Sequence, residues 1–389
     1  MIIRLAKLIL LILMVPGLAH AQEPTCRIGF DVGSTGIRVG ALDTTHSAKA
    51  AIDYLADVWA DAIPDATLTD TIQALSNLPR EAGLPGACTA IAGGFSAWRY
   101  AMASGKPSRV TAIIHRIHQK TGVPFFIIPQ EVEGRYGYEA TQKILKNELT
   151  TPWILDIGGG SFEIAGANAT WGGDLGAKSW QRLFCSRIRG VLPPDCSVTP
   201  LSPADIHTAH TLLDEYLHKG KAIPQAILQS HQPVTAISPP LLKGIYPALR
   251  CLEATHLLRQ GHVDGHGFDA TALNEAIQHL QAKTPTELTQ WLDACTRNKD
   301  LPPCSPKFSD TLLTNMLLVQ AIMDILTIPR MEVAAADINN VTGLLTDDTL
   351  RQWSTHYSCY LERLAKQGVD AYLTDPRSCP EVPTGGRVN

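Results

Sequence analysis

Neither sign of charge dominates this chain. Of its 389 residues 33 are basic and 37 acidic, a net charge of −4. No global field therefore marks a nucleic-acid binder, and any polyanion must be met by a local patch. Charge is scarce altogether, 18% of residues against 45% hydrophobic, which excludes a disordered chain. The length points to two or three domains, each with ample material for a core. No C-x-x-C is present, and the one H-x-x-x-H, His262 with His266, is broken up by Gly261, Gly265 and Gly267. That stretch reads as a loop, which argues against a zinc site. Beyond the N-terminus no apolar run suffices to span a bilayer: residues 311–328 come nearest, but Asn315, Gln320 and Asp324 interrupt them.

The first 21 residues read as an export signal. Arg4 and Lys7 precede an apolar run over residues 8–15, and Ala19-His20-Ala21 is a small-x-small cleavage site. Cleavage would leave Gln22 at the N-terminus and a net charge of −6. A secreted or periplasmic, bacterial protein is expected, and that compartment makes nine cysteines legible as four pairs plus one. Short loops suggest Cys185 with Cys196, Cys295 with Cys304, and Cys359 with Cys379. Cys26 and Cys88 each open a strand-like run and would pair across neighbouring strands, leaving Cys251 over.

Apolar strands alternate with helical periodicities along the first half. Leu68, Ile72, Leu75 and Leu78 recur at helical spacing behind Thr67 as a plausible N-cap, and Val110, Ile113, Ile114 and Ile117 mark a second helix stopped by Gly122. This is the pattern of an α/β protein with a largely parallel sheet. His115 and His118, three apart with no third ligand, read as helix-surface residues. Residues 309–326 should form a buried helix, and the last residues, 385–389, a loose end.

An internal echo outweighs any single motif. An apolar strand ends at Asp31, a small-residue turn follows with Gly33, Ser34 and Thr35, and a second strand begins at Ile37. The same order recurs with Asp156, the turn Gly158, Gly159, Gly160 and Ser161, and a strand from Phe162. Such turns present backbone N–H groups to an anion, and Asp31 and Asp156 would hold hydrated Mg2+ or another divalent cation opposite the phosphates. Two copies imply two similar domains facing each other across a phosphate-binding cleft.

With these residues in place, the chain resembles the phosphate-handling superfamily of actin, hexokinase and the heat-shock chaperones. More narrowly it resembles the exopolyphosphatase/guanosine pentaphosphate phosphatase (Ppx/GppA) family. The run from Asp156 to Glu163 is close to that family's D-x-G-G-G-S-T-E, Ser96-Ala97-Trp98-Arg99 to its S-A-x-R, and Leu175-Gly176-Ala177 to its L-G-A. The apyrases are a rival likeness, through the turn at residues 31–38 and Glu133-Gly134-Arg135-Tyr136-Gly137-Tyr138, near their E-G-x-Y-G-W. Against them stand Glu163, where apyrases usually have Gln, and the L-G-A match. The chain departs from the favoured family in three places. Ile237-Ser238-Pro239-Pro240 replaces a G-G-T turn, Asn340-Val341-Thr342-Gly343 replaces L-R-E-G, and Val132 stands before a single Glu133.

The fold expected is α/β, two actin-like (ribonuclease H-like) domains over residues 22–149 and 150–389 after the signal at 1–21. The function expected is magnesium-assisted hydrolysis of the terminal phosphoanhydride of a polyphosphate or nucleoside polyphosphate. Glu133 would serve as general base and Arg99 as phosphate clamp. An apyrase-type hydrolase and a non-catalytic binding protein that kept the cleft are the alternatives. No specific nucleic-acid binding and no span after signal cleavage are expected; a homodimer is compatible. Lys178, Arg182, Arg187 and Arg189, with no acid among them, could guide a polyanion inward or form a solvated helix face.

Overall fold

The computed structural model describes residues 26–380 except 43, 61, 62, 87, 335 and 337. The export signal and the expected loose end at 385–389 lie outside the described residues.

Two sheets carry the fold. The first is built from β1 (Arg27–Val32), β2 (Gly36–Ala41), β3 (Ser47–Ala51), β4 (Thr89–Gly94) and β5 (Phe125–Ile127), in the order β3-β2-β1-β4-β5. Its helices are α1 (Tyr54–Trp59), α2 (Asp65–Glu81), α3 (Ser96–Ala103) and α4 (Pro107–Thr121). α5 (Gln130–Leu145) leads into the second sheet, made of β6 (Trp153–Ile157), β7 (Phe162–Gly166), β8 (Thr170–Gly173), β9 (Val234–Ala236), β10 (Gly267–Asp269) and β11 (Arg330–Val333). Its order is β10-β11-β9-β6-β7-β8. Between and around its strands run α6 (Ala177–Phe184), α7 (Pro203–Lys219), α8 (Gln225–Leu228), α9 (Tyr246–Ala254), α10 (Ala270–Leu280), α11 (Pro285–Thr296) and α12 (Leu312–Ile325). The chain ends in α13 (Val341–Thr346), α14 (Asp348–Thr355) and α15 (Tyr357–Gln367).

The echo in the sequence is an echo in topology. In each sheet the first strand pairs antiparallel with the second and parallel with the fourth. The register sets Asp31 opposite Arg38 in one hairpin and Asp156 opposite Glu163 in the other. Both turns close alike, Gly33 N–H donating to Gly36 O (3.0 Å) and Gly158 N–H to Ser161 O (2.9 Å). The fifth strand position of the second sheet is filled by β11, and β10 is an added antiparallel edge. As the composition of residues 309–326 implies, α12 is buried on nearly every side, a helix inside a core rather than on one.

The last helices return to the first sheet. Residues 341–379, expected to continue the second unit, pack into the first core through Leu344, Trp353, Tyr360 and Cys379. The reason is the edge of β5. Phe125 N–H and Ile127 N–H donate to the hydroxyls of Tyr357 (3.1 Å) and Tyr360 (2.8 Å), so α15 satisfies an edge strand that would otherwise be open to pairing. Smaller readings also shift. α2 starts at Asp65 behind Pro64 rather than at Thr67. His118 is not a surface ring: it packs on Tyr357 with centroids 4.5 Å apart.

Four disulfides are formed: Cys26–Cys88, Cys185–Cys196, Cys251–Cys295 and Cys359–Cys379. The expected Cys295–Cys304 pair is corrected, because α9 and α11 bring Cys251 and Cys295 together across 44 residues while Cys304 stays a buried thiol. Loop length misled: proximity in sequence does not orient Cβ vectors. Four bridges suit an oxidising, extracellular environment, and among the described residues no helix is long and apolar enough to cross a membrane. Peptide mapping under non-reducing conditions should therefore recover a 251–295 cross-link. Cys304 should be alkylated only after unfolding; a 295–304 cross-link would refute this pairing.

Candidate functional site

The site forms where the two hairpin turns meet. A Cβ placed on Gly159 would lie 3.2 Å from Ser34 Cβ and Thr35 Cγ2, and one on Gly160 would lie 2.5 Å from Ser96 Oγ. Only glycine lets the second turn approach the first this closely. Ser34 is buried and its Oγ has no hydrogen-bond partner. Each turn is tied to the helix that follows it. Leu55 N–H of α1 donates to Ser34 O (3.2 Å), while Ala177 and Lys178 N–H of α6 donate to Gly158 O (2.9 Å) and Gly159 O (2.8 Å).

Arg99 occupies the centre. It stands on α3, is buried, and spends four of its N–H donors within the protein. Nη1 bonds Ile128 O (3.2 Å) and Glu133 Oε2 (2.5 Å); Nη2 bonds Ser161 Oγ (3.2 Å) and Glu163 Oε1 (3.3 Å). This differs from a clamp left open to a phosphate, because the fork is filled by two carboxylates and a turn hydroxyl. Glu133 lies in the first turn of α5 and is itself buried, 8% exposed. α5 reaches this position because Gly134 has no side chain: a Cβ there would stand 2.3 Å from Thr170 Cγ2 and 3.3 Å from Glu163 Cβ.

Glu163 was quoted within the motif at residues 156–163 but given no role by sequence reasoning. Its signal was the register, since a residue opposite Asp156 in a tight hairpin must face the same side. Gln130 Nε2 donates to its Oε1 (3.2 Å) and also to the carbonyls of Phe162 (3.3 Å) and Gly173 (3.1 Å). Burial pushes the Glu163 carboxyl well above the usual carboxylate range, the Glu133 charge adds to the rise, and Arg99 opposes it. Asp31 is likewise raised, to about 6: burial leads, Arg38 opposes, and Glu133 adds. Asn340 N–H donates to Asp31 Oδ2 (3.3 Å).

The two aspartates end their strands on either side of the meeting turns. Among the described residues no three His, Cys, Asp or Glu side chains gather as a ready metal site. Asp31 is held by the backbone N–H of Asn340, whose side-chain Oδ1 is a buried oxygen without a hydrogen-bond partner, as is Ser34 Oγ in the turn that follows Asp31. An all-oxygen donor set of this kind fits a hard divalent cation and not a thiophilic one.

The departures from the expected motifs have structural employment. Ser238 Oγ accepts from Ile157 N–H (2.9 Å), which fixes the end of β6 in place of a glycine turn. The basic segment divides. Lys178 Nζ pairs with Asp53 Oδ2 (2.7 Å) and Arg182 lies over the Trp59 ring at 4.8 Å, both reaching α1. Arg189 is taken by Asp205 (3.0 Å) and by neighbouring carbonyls. Three of the four are thus structural contacts rather than an open guide.

No family model matches the chain. An uncharacterized protein of Streptomyces coelicolor is 28% identical over 143 residues, 35% of this chain; the chain spans about two fifths of that relative's length. Structural likeness extends much further. The Aquifex aeolicus member of the Ppx/GppA family superposes with a TM-score of 0.56 at 14% identity, covering 84% of this chain and 98% of that one. An exopolyphosphatase from Cytophaga hutchinsonii gives 0.55 at 15%, covering 82% and 96%. The fold is that of the Ppx/GppA phosphatases. The expected α/β fold therefore holds in three dimensions.

Two measurements test this geometry. Unfolded aspartate titrates near 3.8 and native Asp31 near 6, so between those values the native state holds the extra proton. Stability must fall as pH rises through that window and level off above it. With chelator present, Asp31→Asn should remove this slope and stabilise the protein at pH 7 by about 1–2 kcal/mol, less than the full shift would give because the carboxyl keeps some solvent. Parallel melting curves for both proteins from pH 4 to 7 would show the assignment wrong. Second, the two turns touch, and Lys178–Asp53 and Arg182–Trp59 help hold their units together at roughly 0.5–1 kcal/mol each. A Lys178→Ala/Arg182→Ala protein should show a larger radius of gyration in X-ray scattering; unchanged scattering would remove these pairs from closure.

Proposed function

We propose that this protein is an exported phosphohydrolase that removes the terminal phosphate of a polyphosphate or nucleoside polyphosphate. One observation carries the reading: a carboxylate from a helix of the first unit, Glu133, is fixed by Arg99 where two phosphate-type turns converge. Phosphoanhydride cleavage asks the protein for little covalent chemistry; it needs charge neutralisation and an aligned water. The turn amides at Gly33, Ser34 and Thr35 and at Gly158, Gly159, Gly160 and Ser161 would cradle the terminal phosphates. Glu133 would take a proton from the water as the water oxygen bonds to the terminal phosphorus and the bridging P–O bond breaks toward the leaving phosphate.

Arg99 is assigned here a double part. It positions Glu133, and its positive charge faces the developing negative charge of the phosphoryl group. Glu163, with its raised proton affinity, would balance that arginine and take up a proton when Glu133 is charged. Asp31 and Asp156 would hold a divalent cation, magnesium being the natural fit to hard oxygen donors, whose chemistry is to neutralise phosphate charge.

The second reading is the apyrase type, in which the substrate is a nucleoside tri- or diphosphate. The third, a binding protein without turnover, draws on the replacement of the G-G-T turn by Ser238 and two prolines, which leaves that side of the cleft without a glycine turn. Phosphate release from polyphosphate, ATP, ADP and guanosine pentaphosphate with magnesium separates all three, and silence on every substrate would leave the binder.

Within the hydrolase reading, Glu133→Gln keeps a hydrogen bond but cannot accept the proton. Its kcat should fall on the order of 10²–10⁴-fold with KM nearly unchanged. Because Glu133 is buried against Arg99, the same change should also cost stability, about 1–3 kcal/mol, where a solvent-accessible residue would have cost little. Turnover near the wild-type rate would take Glu133 out of the mechanism.

A further inference from the structure

Asn340 stands where the chain crosses from β11 back to the first core, immediately before α13. Three features set it apart. It is 6% exposed. Its backbone N–H donates to Asp31 Oδ2 at 3.3 Å. Its side-chain Oδ1 is fully enclosed and has no hydrogen-bond partner. That oxygen lies 4.0 Å from where a Cβ on Gly137 would be. Gly137 is one helical turn after Glu133, so both residues look out from the same face of α5. Asn340 therefore links the carboxylate at the end of β1 to the helix that carries the general base.

A buried carbonyl oxygen left unpaired carries a desolvation cost with no bond to offset it. Folded proteins keep such groups rarely, and each one calls for a ligand, a water or a functional reason. Packing offers none here, since leucine has nearly the same shape and would bury no polar atom. The surroundings indicate the kind of ligand. The same residue's backbone N–H holds the carboxylate of Asp31, and the Glu133 charge bears on that carboxylate. A site with that much negative charge recruits a cation or the hydrogens of its water, not an anion. A neutral amide oxygen can join such a set without adding to the repulsion between carboxylates, which a third aspartate would worsen.

We infer that the Asn340 amide oxygen is a further oxygen donor to the divalent-cation site, accepting from the cation's hydration shell beside Asp31. The inference rests on the reading of Asp31 and Asp156 as the cation's carboxylates. A small hard cation gives up its waters reluctantly and is bound largely through them. Acceptors that orient those waters affect affinity as directly as the carboxylates they accompany. Asn340 then differs from Ser34, the other unpaired oxygen of the site, which sits in the first turn and faces Gly160 and so belongs with the phosphate contacts.

The test uses the full mature chain, freed of metal and titrated with Mn2+ while the free ion is followed by electron paramagnetic resonance. Asn340→Leu keeps the shape and removes the acceptor; Asn340→Ala does the same with less bulk, and serves if the leucine variant does not fold. Each should weaken Mn2+ binding about 10-fold, and the leucine variant should melt in chelator no lower than wild type. Wild-type Mn2+ affinity in the Asn340 variants, with affinity lost in Asp31→Asn and Asp156→Asn, overturns this inference alone and leaves the aspartate site standing. Unchanged affinity in all four variants overturns the aspartate site and this inference with it. A lowered melting point at unchanged Mn2+ affinity shows Asn340 to be structural only, which also overturns it.

Discussion

Everything at the centre of this molecule depends on one buried cation. Arg99 is drawn out of water and must be balanced, and the partners that balance it come from elements that otherwise belong to separate sheets. Glu133 arrives on α5 and Glu163 on β7. Burying two carboxylates side by side would be prohibitive without the guanidinium between them, and burying the guanidinium would be prohibitive without them. A buried ion group of this kind is weak evidence for stability but strong evidence for position. With four donors committed to four acceptors, the fork admits little displacement of Glu133.

The backbone is built to permit that constellation. α5 can lie against β7 and β8 only because Gly134 presents no side chain there. Two residues on, Tyr136 donates to Asp347 (2.6 Å) and contacts Tyr372 OH (3.0 Å), while Asp347 caps α14. The C-terminal return is therefore not an appendage. It clamps the helix of the catalytic candidate from the side opposite the second sheet, and through Asn340 it also touches Asp31. One helix thus takes its bearings from both cores.

What could be read from the sequence was whatever local chemistry repeats. The turns after Asp31 and Asp156 were legible because strand, acid and small residues recur in one order, and the structure sets both in equivalent hairpins. The general-base candidate was legible from its motif. What escaped was long-range. Glu163 acquires its partners from α3 and α5, and no spacing rule announces a contact with Arg99 across 64 positions. Cys251 meets Cys295 only after α9 and α11 have packed. Residues 341–379 carry no mark of belonging to the first core, because the unsatisfied edge of β5 that draws them lies more than 200 residues earlier. Lys178 and Arg182 could be read as a polyanion guide or as a solvated face, because their partners, Asp53 and Trp59, are on the other unit.

The closed arrangement of the turns gives these facts a common sense. Gly160 abuts Ser96 and Ser34, so the two turns lie in contact where the proposed function would set a phosphate. Under that proposal substrate would enter as the hairpins separate, and the contacts that cross between them differ in strength. Lys178–Asp53 and Arg182–Trp59 are half-exposed and cheap to break, whereas Arg99–Glu133 joins two elements of the first unit and need not break at all. Separation would instead loosen Arg99 from Ser161 and Glu163, which belong to the second unit. Opening would thus free part of the guanidinium fork while Glu133 stays fixed. A phosphate could then take up the Arg99 donors that Ser161 and Glu163 give up on opening. On the proposed function, the arrangement in which Arg99 commits four donors within the protein would be the resting form of a phosphate site, with protein oxygens in the positions that substrate oxygens would compete for.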